Sequence, residues 1–343
     1  MNDTTDMPRQ AVLVLGAGGF VGSRLVRALL ASPHLRPIAA VHRPGSEIPG
    51  VEAAICDATD AKALGTLLPG VAAVVNCVAG SADTMIRSAT ALCQAARQQP
   101  PRRIVHLSSM AVYGQAVGAV DEATQPVPPF NDYARGKQVC EEIMRTYVRD
   151  GGDAVILRPG CVYGPGSTQW TLRIARLLRT GRIGDLGAAG DGIANLVLIE
   201  DLIDAILSAL TQPGLAGMAF NISGPEWPTW NGYFLRFARL LRATPVRRVP
   251  ERQLRLETRV GAPAFAIGGK LARLARLPMR FLPEPIPPSL VRLWQQDITL
   301  DNAQALHRLE LSQTPLSAGL DASVRWLNAR VAPPNRIMER RSA

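Results

Sequence analysis

The chain has 343 residues, 47% of them hydrophobic, and a formal net charge of +10, enough apolar content for one large core or for a domain with an appended lobe. No apolar run approaches the ~18 residues of a membrane span, and the polar start, with Asp3 and Asp6, is unlike a cleaved signal. Five cysteines, Cys56, Cys77, Cys93, Cys140 and Cys161, stand singly among scattered histidines, which argues against a zinc or other metal site and suits a reducing cytoplasm.

Val12 to Leu15 is a short apolar run. Glycines follow at Gly16, Gly19 and Gly22, and Val21, Leu25, Ala28 and Leu29 then fall on one helical face. This reads as strand, tight turn, helix. Without Cβ atoms the backbone can turn sharply at Gly16, admit a pyrophosphate at Gly19 and pack helix on strand at Gly22. The N–H groups that open the helix, at Phe20 and Val21, would face the phosphates together with its positive dipole end. An ordinary βα turn is the competing reading of the same glycines.

Pro37 to His42 reads as a second strand, ended by Arg43-Pro44-Gly45-Ser46. An acid at this strand end bonds the ribose 2′-OH of NAD, whereas a basic residue accommodates the 2′-phosphate of NADP. His42 and Arg43 stand there, so NADP is preferred over NAD, with Arg43 as the charge partner. Val51 to Cys56 gives a third strand closing on Asp57, and Val71 to Val78 a fourth, followed by Ala79-Gly80. Asp57 is placed to bond an adenine amino group and Ala79 to let the cofactor lie close to the backbone; each also reads as a plain loop residue.

A helix over Asp83 to Arg97 leads to a fifth strand, Arg103 to Leu107, and to Ser108-Ser109. Pro126, Pro128 and Pro129 make the next loop irregular and exposed. The helix beyond carries Tyr133-Ala-Arg-Gly-Lys137, placing Tyr133 and Lys137 on one face at i and i+4. A phenol with an ordinary pKa near ~10 is a poor base at neutral pH, and a nearby ammonium lowers that pKa. The pair is then a tunable proton donor or acceptor, and a strand-end hydroxyl such as Ser109 can hold a substrate oxygen beside it. Alone, the same spacing also describes a half-buried tyrosine next to a solvated lysine.

The order of these features resembles an extended short-chain dehydrogenase/reductase, the NAD-dependent epimerase/dehydratase family, from about Ala11 to Gly224. Leu157-Arg-Pro159-Gly-Cys161-Val-Tyr163-Gly-Pro-Gly166, Leu196-Val-Leu-Ile-Glu200-Asp201-Leu202 and Phe220-Asn-Ile-Ser-Gly224 are similar to further segments of that family. The resemblance implies an α/β fold with a Rossmann-type doubly wound parallel sheet and a smaller C-terminal substrate lobe. It implies Tyr133 as general acid/base, Lys137 as the residue that lowers its pKa and holds the nicotinamide ribose, Ser109 as the orienter of the C–O group, and Pro159 beside the nicotinamide. The activity implied is hydride transfer between nicotinamide and a secondary alcohol or ketone carbon of a small-molecule substrate, including that of a nucleotide-linked sugar. Two alternatives stand beside it: an NADPH-dependent carbonyl reductase of the dihydroflavonol-reductase/hydroxysteroid-dehydrogenase type, and a non-catalytic dinucleotide-binding subunit. Met110 and Ala111 replace the acidic pair of the family's dehydratases, which argues against dehydration.

The expected layout is a polar arm over 1–10, a dinucleotide-binding domain over 11–166 rejoined by 193–224, a substrate lobe from 167–192 and 225–330, and a mobile tail over 331–343. The net charge is local: between Arg236 and Arg280 eleven arginines and one lysine face only Glu251 and Glu257. Leu271, Leu274, Leu277 and Phe281 repeat at helical spacing beside Lys270, Arg273 and Arg276. Residues 264–281 therefore read as a peripheral membrane contact or as a helix packed on the core under its long arginine stems. Asp297 to Leu311 and Leu320 to Leu327 read as closing helices. No nucleic-acid recognition motif accompanies the basic stretch. The resemblance implies a homodimer through the Tyr133 helix, in the cytoplasm.

Overall fold

The computed structural model describes residues 9–43, 48–98, 103–258 and 286–331. Within them the chain falls into two compact units, one built from Met1–Val162, Asn195–Trp227 and Gln296–Gln313, the other from Tyr163–Ala194, Pro228–Gln295 and Thr314–Ala343.

The first unit opens with β1 (Gln10–Leu15), α1 (Phe20–Ala31), β2 (Leu35–Val41), β3 (Glu52–Ile55), α2 (Ala61–Leu67), β4 (Val71–Asn76), α3 (Ala82–Arg97) and β5 (Arg103–Leu107). It continues with β6 (Gly118–Val120), α4 (Asp132–Arg149) and β7 (Asp153–Pro159). After β8 (Cys161–Tyr163) and the excursion into the second unit come β9 (Leu196–Leu198), α6 (Ile199–Thr211), β10 (Ala219–Ile222), β11 (Ile298–Leu300) and a helix at Ala303–Arg308. Seven strands form a parallel sheet in the order β10-β7-β5-β4-β1-β2-β3. Leu13 pairs with Ile38 on one side and Val74 on the other, so the strand order reverses at β1. A parallel sheet is covered on both faces, which is why its strands read as continuous apolar runs rather than alternating ones. One face packs on α1 and α6 through Leu25, Leu29, Leu202 and Ile206, and the other on α2, α3 and α4 through Leu64, Leu92, Cys140 and Met144. The result is a doubly wound sheet, with the crevice at the carboxyl ends of β1 and β4 as the expected ligand position.

Strand ends differ from the sequence reading where a side chain competes for the backbone. Asn76 Oδ1 accepts the Val78 N–H at 3.1 Å, which ends β4 two residues early. A larger correction concerns Asp297 to Leu311. Its first residues form β11, paired in parallel with β6 from Ile298 to Leu300, and only Ala303–Arg308 is helical. Ile298 and Leu300 are fully buried, and the Asn195 amide brackets them, donating to the Ile298 carbonyl at 2.7 Å and accepting the Leu300 N–H at 2.9 Å. Residues 296–313 therefore belong to the first unit and not to the second.

The second unit contains α5 (Arg173–Arg179), α7 (Trp230–Leu240), α8 (Glu251–Leu256) and helices at Pro288–Trp294 and Leu316–Val331. Its core is aromatic: Trp230, Tyr233, Phe234 and Phe237 line one side of α7, and the Phe234 and Trp294 rings meet edge-to-face at 5.4 Å. Such pairs add about 1 kcal/mol beyond their burial. The amphipathic reading of 264–281 and the break at 44–46 lie outside the described residues, as does the tail expected over 331–343 except for Val331, which closes the last helix.

Candidate active site

At the end of β1 the backbone turns at Gly16 with φ +76, a conformation that favours glycine. A Cβ there would stand 2.9 Å from the Cys77 carbonyl, and one at Gly22 would stand 2.2 Å from the Gly16 oxygen. These glycines let β4, the turn and α1 close on one another. The turn is held by the Gly19 N–H donating to the Gly16 carbonyl at 2.9 Å. Gly19 caps α1 without a side-chain bond, and no acid stands in the first turn, so the leading N–H groups of Phe20, Val21 and Gly22 are unanswered by the helix itself. The Phe20 and Val21 side chains pack on the core.

A cleft of about 500 Å³ opens in front of this turn, lined by Gly16, Gly18, Gly19, His42, Asp57, Thr59, Val78, Thr84 and Arg87 among others. Of the residues singled out in the sequence, Gly16, Gly19 and Asp57 line it, whereas Phe20, Val21, Gly22, Arg43, Ala79, Lys137 and Pro159 do not. Asp57 accepts the Thr59 N–H and hydroxyl, both at 2.9 Å, and these bonds hold its carboxyl below the usual range, with smaller help from His42 and Arg87. The basic groups on the cleft wall are His42 and Arg87 rather than the exposed Arg43. Arg87 reaches the wall from α3, 44 positions beyond Arg43, where its Nε also bonds Asp83 at 2.9 Å. Gly18 stood in view inside the glycine run; Arg87 had no local signal.

At the carboxyl end of β5, Ser109 caps a short 3₁₀ turn, its Oγ accepting the Ala111 N–H at 3.2 Å. The same hydroxyl lies beside that of Tyr133, in the first turn of α4, and acts to lower the phenol's pKa. Asn131 starts this helix by accepting the Ala134 N–H at 2.8 Å. One turn on, Lys137 is buried, with its Nζ 5.9 Å from the Tyr133 ring centre and donating to the Leu107 carbonyl. The structure thus brings Ser109, Tyr133 and Lys137 together. Tyr133 is 41% exposed, open to a reacting molecule. Desolvation of its hydroxyl pushes its pKa up, and the neighbouring Ser109 hydroxyl offsets part of that. This direction is opposite to the one expected from a neighbouring ammonium, because desolvation is the largest effect on the phenol. Burial pulls the Lys137 pKa down. Pro159, at the end of β7, is buried in the sheet.

Behind this trio lies a polar network that the sequence reading missed. Glu141, one turn beyond Lys137, takes the Arg158 Nε and Nη2 at 2.9 and 2.8 Å and the Ser108 hydroxyl at 2.6 Å. Arg158 Nη1 donates to the Tyr113 oxygen at 2.8 Å, and Tyr113 donates to Asn221 Oδ1 at 2.7 Å. The available signal was a charged residue directly after the apolar run Val155 to Leu157 and still within the strand, which only a buried partner makes tolerable. His106, on β5, is also buried, and among the described residues neither ring nitrogen has a partner. No three His, Cys, Asp or Glu side chains gather as metal ligands, and no helix is long and apolar enough to cross a membrane, among the described residues.

Residues 12–223 match the family model described as NAD dependent epimerase/dehydratase family. The chain is 27% identical over 339 residues to Sterol demethylase protein B of Methylococcus capsulatus, covering 93% of this chain and 98% of that one. It is 31% identical over 247 residues to the UDP-glucose 4-epimerase of Mycolicibacterium smegmatis, covering 63% of this chain and 78% of that one. Its fold is similar to the UDP-glucuronic acid 4-epimerase of Bacillus cereus, solved with UDP-glucuronic acid and NAD, with a TM-score of 0.72 at 20% identity over 94% of this chain and all of the other.

Proposed function

Because the chain belongs to the NAD-dependent epimerase/dehydratase family, we propose that it is a nicotinamide-dependent oxidoreductase acting on a secondary alcohol or ketone of a sterol-like ring substrate. The observation that carries the chemistry is the Ser109–Tyr133 hydroxyl pair, with buried Lys137 one turn away. The glycine turn, the unanswered N–H groups of α1 and the cleft before them fit a dinucleotide, with the diphosphate on Gly18, Gly19 and the helix start and the adenosine end towards Asp57, His42 and Arg87. When bound, that cofactor supplies the hydride donor and acceptor.

The protein's own part is alignment and proton transfer. Ser109 holds the reacting oxygen, and Tyr133 gives that oxygen a proton in reduction or takes one in oxidation. A phenol is protonated at neutral pH, so Tyr133 starts as the proton donor in the reductive direction. Lys137, fixed by the Leu107 carbonyl, lies where its ammonium favours the phenolate once Tyr133 has lost its proton.

The sterol-like substrate is supported by the extent of similarity: the sterol demethylase protein is matched across 93% of this chain, including the substrate lobe, whereas the match to the UDP-glucose epimerase covers 63%. A second reading, epimerisation of a nucleotide-linked sugar, is favoured by the fold similarity to the UDP-glucuronic acid epimerase. His42 and Arg87 support NADP over NAD. The discriminating experiment follows reduced-nicotinamide absorbance with a keto-sterol and, separately, assays UDP-glucose for conversion without added cofactor. Turnover of the sterol with NADPH supports the first reading. Conversion of the sugar by protein that retains NAD through purification would replace it with the second.

A further inference from the structure

We propose that the basic surface of the second unit built from α5, α7, α8 and their connections docks on an anionic lipid surface. Residues 173–187 and 230–258 hold eleven arginines and three carboxylates. All three carboxylates are already engaged: Glu257 by Arg182 at 2.5 Å, Asp185 by Arg248 at 3.1 Å and Glu251 by Arg255 at 2.5 Å. Arg179, Arg239, Arg242, Arg247 and Arg252 are exposed, and none of them pairs with a carboxylate among the described residues. The excess positive charge is therefore available to an external partner.

These arginines belong to one packed substructure. Helix α5 packs on α7, Asp185 exchanges backbone bonds with Arg247 and Val249 at 3.1 and 2.8 Å, and the Arg182–Glu257 pair ties the end of α8 to the segment after α5. Arg242 sits at φ +56 just beyond α7, in the left-handed region that glycine or asparagine takes more cheaply. The chain carries a cation there at some conformational cost.

The neighbours of these cations decide between lipid and nucleic acid. Leu240 follows Arg239 and is 38% exposed, and Leu256 follows Arg255 and is 63% exposed. Apolar side chains set between arginines insert at the headgroup boundary while the guanidinium heads meet the phosphates. A single-stranded nucleic acid would require exposed aromatic platforms, but Trp230, Tyr233, Phe234 and Phe237 are buried in the core of this unit. The docking does not depend on which substrate the active site takes.

The test uses the full chain and co-sedimentation with vesicles of pure phosphatidylcholine or of equal parts phosphatidylcholine and phosphatidylglycerol. Binding should appear with the mixed vesicles only and fall with added salt. Neutralising each arginine should weaken it roughly fivefold, so Arg242→Gln and Arg247→Gln serve as mild variants and Arg239→Glu/Arg242→Glu/Arg247→Glu as the strong one, with a loss well beyond tenfold. Leu256→Gln should weaken binding while leaving its salt dependence in place. Unchanged thermal midpoints and dinucleotide binding confirm that the variants fold. Absence of binding to the mixed vesicles, binding that survives the triple variant, or tighter binding to an oligonucleotide that displaces the vesicles would each overturn the proposal.

Discussion

Glu141 on α4 and Arg158 on β7 form a two-point ion pair, 2.9 and 2.8 Å long, with no more than 2% of either side chain exposed. The pair fixes the helix that carries Tyr133 and Lys137 against the strand next to β5, which leads into Ser108 and Ser109. Breaking it leaves an uncompensated buried charge, so Glu141→Ala should lower stability by about 3–5 kcal/mol. Glu141→Gln, which still accepts one hydrogen bond, should lose less. Urea unfolding of both variants checks the order; equal and small losses would show that the pair is dispensable.

Gly22 and Gly18 should respond oppositely to a methyl group. A Cβ at Gly22 would meet the Gly16 oxygen at 2.2 Å, whereas one at Gly18 meets nothing within 4 Å. Gly22→Ala is therefore expected to cost on the order of 1–3 kcal/mol and to weaken dinucleotide binding by displacing α1. Gly18→Ala should fold normally and affect binding alone, because its methyl group points into the open cleft. Thermal melts together with dye-displacement titrations separate the two.

His106 gives the fold an acid-sensitive element. Burial pulls its pKa down to about 3, so it stays neutral in the folded chain, while in the unfolded chain it takes up a proton below about 6.5. Between these values the unfolded state binds more protons, and stability rises with pH and is lost as pH falls, by at most about 1.4 kcal/mol per pH unit. His106→Leu should flatten that limb, reducing the stability difference between pH 7 and pH 5 by about 2 kcal/mol. Urea midpoints at the two pH values provide the comparison.

Arg87 on the cleft wall is the residue expected to discriminate NADP from NAD. Arg87→Ala should raise the Kd for NADPH roughly tenfold, the loss of one exposed charge-assisted contact, and leave that for NADH nearly unchanged. Equal changes for both would assign Arg87 a role away from the 2′ position.

The sheet was legible because its strands are uninterrupted apolar runs, and the trio was legible because Tyr133 and Lys137 share a helix and Ser109 follows a strand. What was not legible depends on distant pairing. Arg87 reaches the cleft from α3, and Glu141 and Arg158 find each other across separate elements. Asp297-Ile-Thr-Leu300 has the alternation of a strand, but its partner β6 is a three-residue segment with no pattern of its own. The direction of the Tyr133 shift also escaped sequence reasoning, because spacing places Lys137 near the phenol without revealing that the fold desolvates the phenol's hydroxyl.

The central claim is that Tyr133 transfers the proton that accompanies hydride transfer, and the most direct measurement is keto-sterol reduction with NADPH deuterated at the transferable position. The wild-type chain should deliver deuterium to the carbinol carbon. Tyr133→Phe should retain NADPH binding and lose turnover by about 10²–10⁴-fold. Undiminished deuterium transfer by Tyr133→Phe would contradict the account.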